Sequence, residues 1–174
     1  AHSLLDAALV PVVTLFTRPH LAMFPFAGIA SEEEAGSVLF FKRPGATKIE
    51  RVAYDAGSRS SLMLLRILLA EEGIHPDWIA MEPNLDKMLA LADGALLIGD
   101  VALAAAKDPR RLFDLVARWK KLTGMPFVFA VWASRADHPC RSDLTRLFTD
   151  ASMRGLSRPA TIAHVVVPSP TIAA

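Results

Sequence analysis

From Arg51 onward the chain alternates between two hydrophobic periods. RVAY is followed by LMLLRILLAEE, DWIAM, LDKMLALA and ALLIG, a strand, helix, strand, helix, strand series. Each helix in such a series returns the chain to the starting edge, so the strands run parallel and the helices cover the sheet. The fold class is therefore α/β. The helix expected over Arg59 to Glu72 is apolar at Leu62, Leu65, Leu68 and Leu69, a stripe that Met63, Leu64 and Ile67 widen and that calls for burial. Gly73 stops it. Asn84 is a natural N-cap for the next helix, where Leu85, Met88 and Leu89 fall at i, i+3, i+4. ALLI at 95–98 shows no polar alternation, as expected of a central strand covered on both faces.

The flanks are less regular. Asp6 to Phe16 is apolar and β-branched with Pro11 inside it, which suits a strand near a sheet edge followed by a turn. VLFFKR reads as a second strand broken by Pro44-Gly45, where a crossover between lobes is expected. Residues 111–122, RLFDLVARWKKL, carry Leu112, Leu115, Val116, Trp119 and Leu122 at helical spacing up to Gly124. PFVFAVWA at 126–133 reads as a long buried strand, and a last amphipathic helix is expected from about Cys140 to Leu156. Pro168 and Pro170 rule out a regular ending to the tail.

Composition narrows the function classes. With 174 residues, 52% of them hydrophobic and 21% charged, the chain has the apolar surface to offset its folding entropy, as one domain or two small lobes. Nineteen Lys and Arg against eighteen Asp and Glu leave a net charge of +1, too balanced for nucleic-acid binding through phosphates. No apolar stretch reaches the roughly 18 residues of a membrane span. The single Cys140 fits a reducing compartment, with cytoplasm as the default. The opening AHSLL shows no charged n-region ahead of an apolar core, so no secretory signal is expected. Five scattered histidines with no i, i+4 pair give no zinc pattern. The Walker, dinucleotide, nucleophile-elbow and H-E-x-x-H signatures do not occur.

Three segments carry possible chemistry. In Asp55 to Ser61, DAGSRSS, Gly57 permits a tight turn, and Ser58, Ser60 and Ser61 place hydroxyls at a helix start. Unpaired N–H groups and the helix dipole there favour an anion. The plain alternative is an N-cap at Ser58 worth about 1 kcal/mol, the commoner outcome for such a sequence. Ile98-Gly99-Asp100 closes the apolar strand at its carboxyl end, where open α/β sheets bind ligands, so the two turns are expected to face one cavity. Asp100 equally fits a helix cap. The aromatics of Thr123 to Ala133 suit either a ring-binding wall or plain core, the latter being more usual. The acidic run Glu32 to Glu34 reads as a solvated loop.

GIAS at 28–31, SVLFFKR at 37–43, VAYDAGSRSS at 52–61, ALLIGDVAL at 95–103 and WKKLTGMPFVFAVWA at 119–133 occur in one order. Together they resemble chorismate dehydratase of the futalosine route to menaquinone, over roughly residues 4 to 163. The sister enzyme that makes 1,4-dihydroxy-6-naphthoate usually carries a Pro-Leu-Gly type sequence where this chain has Pro126-Phe127-Val128-Phe129. A non-catalytic carboxylate-binding protein of the same fold is the rival from another class.

The resemblance implies a fold similar to type II periplasmic binding proteins, two α/β lobes with a ligand cleft between them. Residues 1–45 and 130–174 would form parts of the first lobe and 46–129 the second, with a mostly parallel sheet. The first lobe is expected to be incomplete, because the chain lacks an opening strand and closing structure that the family carries. The implied reaction removes water from chorismate, a dicarboxylate, to give 3-[(1-carboxyvinyl)oxy]benzoate without metal or organic cofactor. By that likeness Ser58, Arg59, Ser60, Ser61, Gly99 and Ser31 would bind substrate. Asp100 and Ser37 would be catalytic.

Overall fold

The computed structural model describes residues 5–166, apart from the side chains of 26, 27 and 163–166. Its elements run β1 (Ala8–Pro11), α1 (Val13–Thr17), β2 (Leu21–Ser31), β3 (Val38–Lys42), β4 (Arg51–Tyr54), α2 (Arg59–Ala70), β5 (Asp77–Ala80), α3 (Leu85–Leu91), β6 (Gly94–Ile98), α4 (Gly99–Ala104), β7 (Arg111–Asp114), α5 (Leu115–Thr123), β8 (Phe127–Arg135), α6 (Arg141–Leu156) and α7 (Pro159–Val166). The chain divides into two units, one comprising residues 1–10, 14–28 and 131–174, the other 11–13 and 29–130.

The second unit is built on a five-stranded sheet in the order β5-β4-β6-β3-β7. β4 lies parallel to β5 and to β6, as the alternating pattern requires. β3 runs antiparallel to β6 and to β7, so the sheet is mixed. This corrects the grouping of residues 29–45 with the first 28: β3 fills a central position in this sheet. The chain changes unit at 10/11, 13/14, 28/29 and 130/131, the last two inside β2 and β8, and not at Pro44-Gly45.

Side chains alternate across these strands. Val38, Phe40, Val52 and Leu96 join Leu64, Leu65, Leu68 and Leu69 of α2 and Leu115 of α5 in one cluster. Leu39, Phe41, Ala53, Ala95 and Leu97 face Met88, Leu89 and Ala102 from α3 and α4 in the other. Two covered faces explain why ALLI carries no polar residue. At Gly94 the ring of Phe40 occupies the space of a side chain: a Cβ there would lie 2.5 Å from Phe40 Cζ.

The 111–122 segment is not one helix. Arg111–Asp114 forms β7, with Phe113 paired to Phe40 across the ladder and their rings 5.3 Å apart. Asp114 then caps α5, accepting from the N–H groups of Val116 (2.8 Å) and Ala117 (3.2 Å). The apolar spacing matched a helix over a stretch where sheet pairing decides the structure.

At the amino-terminal edge of β4 and β6, Asp93 holds three segments together. Its carboxylate accepts from the Arg43 guanidinium, and from the N–H groups of Glu50 and Arg51 at 3.0 Å apiece. The Arg43 hydrogen bond is the main reason its carboxyl sits below the usual carboxylate range.

β1, β2 and β8 form a three-stranded sheet in the order β1-β8-β2. The expected 6–16 strand is only β1, after which the chain turns helical at α1. The 11-residue β2 has no counterpart in the sequence reading. β8 forms, but only three of its nine residues are buried, so the long buried strand expected there is a largely half-exposed one. In the first unit, Arg141 donates to the carbonyls of Ala22 (3.1 Å) and Met23 (2.6 Å) and to Ser134 Oγ (2.8 Å). Its guanidinium lies 4.6 Å over Phe24. Phe148 of α6 packs 5.0 Å from Phe24 and stacks 4.6 Å from Trp132. α6 matches the expected 140–156 helix, while Pro168 and Pro170 lie outside the described residues.

Candidate anion-binding site

Because β4 and β6 are parallel and β3 is antiparallel to β6, the carboxyl ends of β4 and β6 share one sheet edge with the amino end of β3. The turn 55–58 leaves β4 there, Gly99-Asp100 leaves β6, and Ser37 enters β3. The topology therefore brings the Ser58, Gly99, Asp100 and Ser37 segments to one edge of the second unit.

The Ser58 turn is assembled locally. Asp55 accepts from Gly57 N–H at its carboxylate (3.1 Å) and from Ser58 N–H at its carbonyl (2.9 Å). Arg59 N–H bonds the Gly57 carbonyl at 3.0 Å, and the first full helical bond runs from Leu62 N–H to the Ser58 carbonyl at 2.7 Å. The N–H groups of Ser60 and Ser61 are left without a backbone acceptor among the described residues, the usual deficit of a helix start.

Side-chain capping does not fill it. Ser58 occupies the N-cap position but its side chain makes no cap hydrogen bond, so the plain capping role expected of it is not the one it performs. Its Oγ is buried with no hydrogen-bond partner, one of two such side-chain oxygens among the described residues. Proteins rarely leave such a group unpaired, and doing so costs about 1–3 kcal/mol. A carboxylate oxygen is the complement of one hydroxyl and two N–H donors.

The other expected residues divide. Ser60 is buried, and its hydroxyl donates to the Phe129 carbonyl at 2.7 Å, so that proton is already committed. Ser61 is buried as well. Arg59 is exposed. All three serines of the turn are thus buried. Gly99 takes φ +64°, a value that favours glycine, and its N–H donates to the Ser37 carbonyl at 2.8 Å. Asp100 is exposed in the first turn of α4, whose N-cap is Ile98. Ser31 gives its hydroxyl to the Glu34 carbonyl at 2.6 Å. The aromatics of β8 behave as core: Phe127 stacks edge-on with Phe129 (4.8 Å) and Trp119 (5.6 Å), and all three pack on the α2 side of the sheet.

Asp114 was missed as part of this edge. Its signal was an acidic residue directly ahead of an apolar helical repeat, hidden by the reading of 111–122 as continuous helix. Open cavities of about 320 and 470 Å³ lie at the opposite end of the sheet, the larger lined by Lys42, Lys48, Glu50 and His75. The cavity expected between the Ser58 and Asp100 turns is neither of these. Among the described residues no group of three or more His, Cys, Asp or Glu could hold a metal ion. None of their helices is long and apolar enough to cross a membrane.

Comparison with known proteins adds context. The menaquinone biosynthesis family matches residues 1–168. A chorismate dehydratase of Thermus thermophilus is 32% identical over 161 residues, covering 83% of this chain and 59% of that protein. One of Campylobacter jejuni is 33% identical over 106 residues, covering 53% of this chain and 46% of that protein. The chain thus spans about half the length of these curated relatives. In fold it is similar to a protein of Archaeoglobus fulgidus, with TM-score 0.63 at 15% identity over 91% of this chain and 62% of the other. It is similar also to an ABC transporter of Parabacteroides distasonis, with TM-score 0.56 at 16% identity over 91% and 59%. The fold is that of periplasmic-binding-protein-like α/β proteins.

Proposed function

The chain belongs to the menaquinone biosynthesis family, and from that membership we propose that the protein removes water from chorismate to give 3-[(1-carboxyvinyl)oxy]benzoate on the futalosine route. Two curated relatives carry the name chorismate dehydratase. The observation that carries the reading to a site is the buried, unpaired Ser58 Oγ beside the unpaired N–H groups of Ser60 and Ser61. They form a donor set for one carboxylate of a dicarboxylate substrate.

In this mechanism the substrate supplies most of the driving force, since loss of the C3 proton and the C4 hydroxyl makes the ring aromatic. The protein's task is to bind, orient and offset charge developing on the conjugated carboxylate. Ser58 with the Ser60 and Ser61 amides holds that carboxylate. Arg59, exposed at the same turn, pairs with the second. Asp100 and Ser37, brought to the same sheet edge, hydrogen-bond the C4 hydroxyl. Ser31 and Gly99 complete the binding residues, Gly99 by setting the direction of the Asp100 turn. The enolpyruvyl carboxylate of the substrate itself takes the C3 proton as the C4–O bond breaks, that proton and the departing hydroxide leave together as water, and the protein holds the conformer in which the carboxylate reaches.

Incubating the full-length protein with chorismate and following ring aromatisation by ultraviolet absorbance tests the proposal. A time-dependent aromatic spectrum with release of one water per substrate is expected. Saturable binding with an unchanged spectrum would make the protein a carboxylate receptor.

A further inference from the structure

We infer that Asp114 is a positioning residue that sets the Ser37–Gly99 edge of the candidate site; this rests on the proposed function. Asp114 is buried, and no ion pair to it occurs among the described residues. Its charge is met by backbone N–H groups from two directions. Oδ1 receives Val116 (2.8 Å) and Ala117 (3.2 Å), the cap of α5. Oδ2 receives Gly36 (2.7 Å) and Ala35 (3.1 Å), and Ala35 also approaches Oδ1 at 3.3 Å.

A helix cap needs only the first pair. The second oxygen is spent on a loop 78 and 79 residues earlier in sequence, directly before Ser37. The Ser37 carbonyl in turn receives the Gly99 N–H at 2.8 Å, and Asp100 is the next residue. A continuous series of short contacts thus runs from a fixed helix start through Gly36 and Ser37 to the Gly99-Asp100 turn. The Ser58 turn leaves a different strand and, among the described residues, has no hydrogen bond to Asp114. The loop anchor therefore governs where Asp100 stands, and carboxylate binding at Ser58 is independent of it.

The test uses full-length Asp114→Asn, with Asn84→Ala as control. The amide that replaces the carboxylate presents one acceptor oxygen in place of two, and since Asn caps a helix as well as Asp that oxygen is expected on Val116 and Ala117, leaving the loop without its partner. Asn84 caps α3 by accepting from Lys87 N–H at 3.0 Å; α3 lies on the other face of the sheet and Asn84 has no hydrogen bond to Gly36, Ser37 or Gly99 among the described residues, so its loss matches a structural defect without cutting this series of contacts. For Asp114→Asn, kcat on chorismate is expected to fall at least tenfold with KM within twofold. Exchange of the Gly99 amide should quicken, while Asn84→Ala changes neither. Gly36→Ala serves if Asp114→Asn does not fold: Gly36 has φ +65° and open space around it, so the variant strains the loop and leaves the cap intact. It should reproduce the kcat loss. Unchanged Gly99 exchange in the folded variant, or a kcat loss no larger than that of Asn84→Ala, would overturn the inference. If wild type leaves chorismate untouched, the function proposal fails, and Gly99 exchange still decides the role of Asp114.

Discussion

Replacing Ser58 by Ala should make the protein more stable and less able to bind its ligand. The two possible roles of this hydroxyl give opposite signs. A serine whose side chain caps its helix stabilises by about 1 kcal/mol, and its loss costs that much. Here the Oγ is buried and unpaired, and the Ser58 side chain makes no cap bond. Removing it relieves a desolvation cost of about 1–3 kcal/mol, less roughly 1 kcal/mol for the small void left behind. The expected outcome is a gain of about 1 kcal/mol, or about 2–4 °C in Tm for a chain of this size. A hydrogen bond from the hydroxyl to a carboxylate contributes about 1.5–3 kcal/mol, so chorismate affinity should fall by roughly 10- to 150-fold. Urea titration reads the first quantity. The rise in Tm with added chorismate reads the second, since a ligand stabilises by its occupancy of the folded state. A loss of about 1 kcal/mol with unchanged ligand response would show Ser58 to be an ordinary cap and refute the reasoning.

Other substitutions separate scaffold from site. Ser60→Ala removes the 2.7 Å bond to the Phe129 carbonyl, which keeps its 2.9 Å bond from Val12 N–H. It should cost about 0.5–1.5 kcal/mol in urea denaturation while sparing most ligand affinity. Gly94→Ala drives a methyl into the fully buried Phe40 ring and should destabilise by about 1–3 kcal/mol, read as a lower urea midpoint. Asp93 and Asp108 both have carboxyls lowered in the folded state, the first mainly by Arg43 and the second, to about 2, mainly by Arg110. A lowered folded pKa means the unfolded chain binds more protons, so this stabilisation is complete above the unfolded value near 4 and is lost as pH falls toward 2. Urea midpoints should therefore decline between about pH 5 and pH 2, and Asp93→Asn should flatten part of that decline.

The parts of the fold that were legible in sequence are those where one periodicity acts alone. The helices α2 and α3, and the strands β4, β5 and β6, follow from apolar spacing, because both sheet faces are covered and every inward position must be apolar. β7 was not legible, since Leu112, Leu115, Val116 and Trp119 keep helical spacing through a segment whose first four residues pair with β3. β2 was hidden by Pro25 and by apolar residues on both sides of an 11-residue strand. At the site, composition located the Ser58 turn because serines beside a glycine before a buried helix are locally distinctive. Which serine is free was not readable: Ser60 is engaged by Phe129, 69 residues away. The double duty of Asp114 is likewise a long-range contact, with Ala35 and Gly36 as partners.

The central claim is that the start of α2 receives a carboxylate. It is tested most directly by following the backbone amide resonances of Arg59, Ser60 and Ser61 in the full-length protein during titration with chorismate. Saturable shifts of the Ser60 and Ser61 amides, abolished by Ser58→Ala, are predicted. Shifts confined to residues around Lys48 and His75, at the other end of the sheet, would contradict it.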